Sequence, residues 1–151
     1  MAKIHVGSFI KSGTMAAVLA GFIYLLALTP FFNNLLLVIL LASAILIPFG
    51  SGMYYSYLAP GEERMSQSVI GGALSGLVAG LILGIAFGVN AFMIGVASTG
   101  ILGYAVAGSI GVTILSAAIL GVFGAIMGAV GGILWQLVHR PSPETMESAE
   151  N

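Results

Sequence analysis

The chain has 151 residues, 59% hydrophobic and 6% charged, with four Lys or Arg against five Asp or Glu and a formal net charge of −1. A soluble domain carries about 25% charged residues, so this composition excludes a chain that meets water over its whole surface. The near-neutral balance gives no basis for nucleic-acid binding. There is no cysteine, hence no disulfide or thiolate metal centre, and no aspartate.

The few charges gather at the two ends and in one central knot. Fifty residues separate Lys11 from Glu62, and seventy-five separate Arg64 from Arg140, none of them charged. Apolar runs longer than about 18 residues read as membrane-spanning helices. The expected fold class is all-α: a polytopic integral membrane protein, a four-helix transmembrane bundle with glycine-mediated close helix packing. One transmembrane domain is expected over residues 1–140, followed by a short disordered acidic tail over 141–151.

The first span is predicted at residues 12–29, ending at Thr29-Pro30. It follows Lys3 and Lys11 as a signal peptide would, but the text YLLALTPFF holds no small-x-small cleavage site, so an uncleaved span is expected. In the turn FFNN, Phe31 and Phe32 suit a membrane interface, and Asn33 or Asn34 can cap the next helix. The second span is predicted at 34–58. Pro48 removes a backbone bond to Ala44, and Gly50 and Gly52 follow, so a kink is expected there. Tyr54, Tyr55 and Tyr57 are expected to form an interfacial belt.

The stretch APGEERMSQ is the polar knot. Pro60-Gly61 signals a turn, and Glu62 and Glu63 suit the positive end of a helix dipole. The third span is predicted at 66–92 and carries glycine at 72, 76, 80, 84 and 88. The fourth is predicted at 109–138, with Trp135 at interface depth, His139 and Arg140 in the headgroups, and Pro141 and Pro143 as helix stops. Residues 90–110 leave a fifth short span open against an apolar connection between two long helices, the remainder then being longer helices or an external hairpin, with Asn90, Ser98, Thr99 and Gly100 as break points. Four spans place Lys3, Lys11, Arg64 and Arg140 on one side, which the positive-inside rule favours. The expected location is the cell membrane, multi-pass, with both termini cytoplasmic.

Glycine is a poor helix former in water, by about 1 kcal/mol against alanine. In lipid every backbone polar group must be satisfied internally, so the helix is enforced and the glycine allows two axes to approach closely. The row Gly72–Gly76–Gly80–Gly84–Gly88 is therefore expected to form a groove. Gly124, Gly128 and Gly132, with Gly121 and Gly131 beside them, are expected to supply one partner in an antiparallel helix. Gly13, Ala17 and Gly21 form a weaker row for a second partner. Each step of four winds the row by about 40°, and one straight helix is not expected to follow all five glycines. A pore lined by smooth glycine surfaces is the competing reading.

The spans hold no acidic or basic residue away from their ends, which leaves no carrier for ion coupling. The polar residues inside are Thr14, Tyr24, Ser43, Ser75, Thr113 and Ser116, of which the serines and threonines are expected to bond the carbonyl one turn back. His5 and His139 lie near the termini, and no catalytic or metal-binding pattern is present. No catalytic residue, cofactor or metal site is expected.

The stretch FGSGMYYSYLAPGEERMSQSVIGGALSGLVAGLILG, with GAIMGAVGGIL later in the chain, resembles a group of small glycine-rich four-span membrane proteins, mostly archaeal and known as a domain of unknown function. The likeness covers roughly residues 45–135. It implies an architecture and no activity. SFI at 8–10 echoes SVI at 68–70, and VLAGFIYL at 18–25 echoes LVAGLILG at 77–84, as parallel repeats of a hairpin would. The functional expectation is a non-enzymatic membrane protein acting through helix–helix contacts, as an accessory or assembly subunit or a homo-oligomer. Its expected partners are membrane lipid and other copies or subunits of a membrane complex. The alternatives are a small oligomeric channel or uncoupled permease, and a structural protein of a membrane or virion envelope.

Overall fold

The computed structural model describes residues 6–27, 36–59 and 65–139. They form four helices: α1 (Val6–Ala27), α2 (Leu36–Leu58), α3 (Met65–Thr99) and α4 (Leu102–Val138). By length and composition, α1, α3 and α4 are apolar enough to cross a membrane. The expected turns at Thr29-Pro30, FFNN and Pro60-Gly61, the acidic pair Glu62 and Glu63, the stops Pro141 and Pro143, and the tail 141–151 lie outside the described residues.

α3 has 35 residues and α4 has 37. At 1.5 Å per residue each is over 50 Å long, against about 30 Å of bilayer hydrocarbon. α3 runs on to Thr99 rather than stopping near 92, and α4 begins at Leu102 rather than 109. Residues 90–110 are thus the two arms of one helical hairpin, with no separate helix between them. Asn90 does not break α3, and the Ser98 hydroxyl folds back to donate to the Gly95 carbonyl at 3.3 Å. The break falls at Gly100, whose φ of 64° lies in the left-handed region. A side chain there would meet its own backbone, at roughly 1–2 kcal/mol, so glycine is the residue that can turn the chain. The turn is closed by Gly100 N–H donating to the Val96 carbonyl at 3.0 Å.

α4 returns antiparallel along α3, and this is the most extensive helix contact in the molecule. α2 packs on both arms of the hairpin, and α1 packs on α2 and α3 without reaching α4 among the described residues. The core where α1, α2 and α3 meet is built from Ala16, Ala20, Ile47, Ala79 and Leu83, with Ile23, Ile82 and Leu120 against it. Small side chains dominate it, so the helices meet along their backbones. The large aliphatic side chains point outward instead, Leu115 at 63% and Leu46 at 64% exposure. An apolar exterior around a small-residue interior is the inverse of a water-soluble bundle.

Candidate functional site

The contact that organises the molecule centres on Gly128. A Cβ built there would lie 2.8 Å from the Gly76 Cα and 2.9 Å from the Gly76 nitrogen, and closer still to the Gly72 carbonyl oxygen. From the other side, a Cβ on Gly52 of α2 would meet the Gly128 backbone. Three helices therefore converge on one glycine with backbone against backbone. Gly131 adds to the same seam, since a Cβ there would meet the Phe49 carbonyl and lie 3.2 Å from the Met53 nitrogen.

All five glycines of the α3 row face α4. Added Cβ atoms would meet Gly128 and Gly132 from Gly72, Gly124 and Gly128 from Gly76, Leu120 and Gly121 from Gly80, Ala117 from Gly84, and Thr113 from Gly88. A straight partner is not expected to touch all five glycines, yet α4 meets all five, rather than crossing locally or sharing the row with a second neighbour. A repeat of four exceeds the 3.6 residues of a turn, so a partner that stays on the row wraps around it with right-handed sense rather than running straight. Ser116 adds a polar contact across the pair, its hydroxyl reaching the Gly84 carbonyl at 2.9 Å.

The remaining predicted residues divide. On α4, Gly124 meets Gly76 and Gly80, Gly132 meets Ser68, and Gly121 is covered by the Leu81 side chain. Gly13 lies 3.5 Å, from its would-be Cβ, from a Val78 methyl, whereas Gly21 has nothing within 4 Å. The weaker row of α1 is therefore engaged at one end only. α2 stays helical through Pro48, which is buried. Gly50 and Gly52 do different things: Gly52 packs on α4, while Gly50 has nothing within 4 Å of its would-be Cβ. Tyr55 departs from the expected belt. It is 0% exposed, with its ring seated over Gly71, because its direction on α2 points at α3 rather than outward. Tyr54 and Tyr57 stack at 6.1 Å, Tyr57 meets Trp135 edge-on at 5.4 Å, and Trp135 stacks on His139 at 3.7 Å.

A second arrangement went unread in the sequence. Among the described residues, the buried hydroxyl-bearing side chains besides Tyr55 are all serines: Ser8, Ser12, Ser43, Ser51, Ser56, Ser68 and Ser75. Three of them link three helices. Ser75 of α3 lies 2.6 Å from the Ser12 hydroxyl of α1 and hydrogen-bonds the Ser51 hydroxyl of α2. Ser12 in turn donates to the Phe9 carbonyl at 3.0 Å. Near the same end of the bundle, Ser8 donates to the Leu58 carbonyl at 3.1 Å and Gln136 donates to the Ser68 hydroxyl at 2.7 Å. The buried Ser56 hydroxyl has no hydrogen-bond partner among the described residues and sits beside Gly132. Thr14, Thr113 and Ser116 do reach the carbonyl one turn back, at 2.8, 2.7 and 2.6 Å.

The serine link forms one end of a crevice between α1 and α2. Its cavity is about 240 Å³, bounded by α1 from Ser12 to Ile23 and by α2 from Leu46 to Tyr54. Ser12, Ser51 and Tyr54 lie at one end, and Leu19, Ile23 and Leu46 at the other. Gly50 forms part of the wall, so the side chain it lacks is space inside the crevice. Among the described residues no three His, Cys, Asp or Glu side chains come together as a metal site would need. Comparison with known proteins returns no matching family model, no matching curated protein and no matching solved structure.

Proposed function

We propose that this protein is a four-span, non-enzymatic membrane protein that works by packing against other helices, as a homo-oligomer or as an assembly subunit of a larger membrane complex. α2 joins the three long apolar helices as a span, because its 23 residues carry no charge and it lies against both arms of the hairpin. Both termini lie on the cytoplasmic side with the four cationic residues. The architecture is the one that the resemblance to small glycine-rich four-span proteins implies.

The observation that carries the reading is a second set of glycines. The inward glycines of α4 are all covered, but Gly103, Gly108 and Gly111 have nothing within 4 Å of their would-be Cβ atoms. With the exposed Ala107, Gly103 and Gly111 form a small-residue row on the outer face of α4. Small residues on an outer face let another helix approach as closely as α3 and α4 approach each other. A little further along, Ile119, Val122, Phe123 and Ile126 line a shallow apolar depression on the same helix.

The test is the mass of the assembly in lipid nanodiscs by native mass spectrometry. Gly103→Ile with Gly111→Ile should leave the chain helical and thermally stable but abolish self-association or co-purification of its partner subunit. Unchanged assembly in the double variant would rule out this face. A channel instead predicts ion or solute flux through vesicles containing the wild-type chain and no such dependence on Gly103 and Gly111.

A further inference from the structure

We propose that the aromatic corner between Tyr57 of α2 and Trp135 of α4 binds the quaternary ammonium of a zwitterionic phospholipid headgroup, a phosphatidylcholine of the surrounding leaflet. The proposal rests on the membrane-spanning reading and is independent of self-association.

The helix ends at this side of the bundle are sorted by charge. Ser8 donates to the Leu58 carbonyl and Gln136 donates to the Ser68 hydroxyl. The first turns of α1 and α3 and the last turns of α2 and α4 therefore lie together at one end. A helix begins in free N–H groups with a partial positive charge and ends in free carbonyls with a partial negative one. This end of the bundle thus has a positive half at α1 and α3 and a negative half at α2 and α4. Lys11 of α1 is exposed, and Arg64 directly precedes Met65, the first residue of α3, so the side chains follow the same division. A zwitterion matches such a surface, with its cation over one half and its phosphate over the other.

The rings stand on the negative half and select the kind of cation. Tyr57 is the last residue but one of α2, and Trp135 lies in the last turn of α4. Their centroids are 5.4 Å apart with the planes at 85°, so the two rings form a right-angled corner. Tyr57 is 60% exposed, and the corner opens outward at the depth where aromatic belts meet headgroups. Tyr54 extends the wall, near-parallel to Tyr57 at 6.1 Å, and His139 backs Trp135 at 3.7 Å. The face of an aromatic ring is the negative part of its quadrupole and attracts a cation within about 6 Å of the centroid. No carboxylate of the described residues competes for that cation, because the chain has no Asp and every Glu lies outside them. A quaternary ammonium has no N–H to pair, so ring faces satisfy it fully, whereas a primary ammonium brings three donors that a ring face leaves unpaired. α2 packs on α3 as well as on α4, so the phosphate of the same headgroup lies on the side of the positive helix ends. The cationic residues by themselves select an anionic lipid, and the corner reverses that choice.

The full chain in detergent micelles is titrated with dioleoyl phosphatidylcholine, phosphatidylethanolamine or phosphatidylglycerol, and single-lipid adducts are counted by native mass spectrometry. Phosphatidylcholine should bind about three- to tenfold more tightly than either of the others, the range of a cation held on aromatic faces. Tyr57→Leu should remove that preference, and Trp135→Leu should remove it if Tyr57→Leu does not fold. Tyr104→Leu takes away a ring that is 74% exposed near the start of α4, at the opposite end of the bundle, and should leave the preference intact. Tighter binding of phosphatidylglycerol would show that the cationic residues choose the lipid and would overturn the proposal. Equal binding of phosphatidylethanolamine, or a loss in Tyr104→Leu as large as in Tyr57→Leu, would overturn it too. Failure of the membrane reading would register separately, as a chain that stays in solution without detergent.

Discussion

Gly128 and Gly50 are both helical glycines, and only their surroundings tell them apart. An alanine at Gly128 puts a carbon 2.8 Å from the backbone of Gly76, and backbone yields only if α3 and α4 separate. Overpacking of this kind costs about 1–3 kcal/mol. Gly128→Ala should lower the thermal stability of the detergent-solubilised chain by that amount, and Gly128→Ile or Gly80→Ile by more. Gly50→Ala meets nothing and should be neutral or stabilising by up to about 1 kcal/mol. Equal unfolding temperatures for Gly128→Ala and Gly50→Ala would contradict the contact. Ser56 gives a prediction of the opposite sign. Its buried hydroxyl has no partner among the described residues, so Ser56→Ala should raise stability by about 1 kcal/mol. A loss of stability in the same melting assay would show that the hydroxyl is bonded after all.

These residues also mark what a reader of the sequence can and cannot see. The five glycines of α3 declare themselves because a spacing of four is visible in the text. The serines do not. A serine in an apolar helix ordinarily bonds its own backbone, and Ser12, Ser51 and Ser75 are ordinary until three separate helices bring them together. Gly52 was legible only as part of a kink, because Pro48 stands four residues before it and its partner Gly128 is far along the chain. Tyr55 looked like its neighbours Tyr54 and Tyr57, and only the socket at Gly71 sets it apart.

At the scale of the element, the α3–α4 hairpin is longer than a bilayer needs and turns over Gly100 and Ile101, with Gly100 in the left-handed region. Its length was ambiguous in the sequence because residues 90–110 are largely apolar and hold Asn90, Ser98, Thr99 and Gly100 as apparent break points. Asn90 and Ser98 do not break the helix, since a helix in an apolar medium keeps its hydrogen bonds whatever the side chain, and α3 ends at Thr99, beside Gly100. Gly100→Ala forces a left-handed alanine and should cost about 1 kcal/mol, read as a fall in thermal stability. The exposed Gly108, which is helical and uncovered, is the control, and Gly108→Ala should leave stability unchanged or raise it. The serine link adds a smaller term between elements. Ser75→Ala removes one hydroxyl from the chain that joins α1, α2 and α3, and hydrogen bonds between membrane helices average about 0.6 kcal/mol. Its effect should therefore fall well below that of Gly128→Ile.

At the scale of the molecule, the described helices join an apolar exterior to a backbone-packed interior, and the proposed topology assigns the cationic residues to the cytoplasmic side. The proposed topology, with Lys3, Lys11, Arg64 and Arg140 all cytoplasmic, requires an even number of crossings and places the tip of the α3–α4 hairpin and the connection from α1 to α2 on the outer side. The absence of cysteine from the chain makes the test clean. Single cysteines at Ser8, Asn34, Ser66, Ser98 and Ser142 are treated in intact cells with an impermeant thiol reagent. The account predicts labelling from outside at Asn34 and Ser98, and at Ser8, Ser66 and Ser142 only after the membrane is opened. External labelling at Ser142, or protection of Ser98 together with exposure of Ser66, would contradict it.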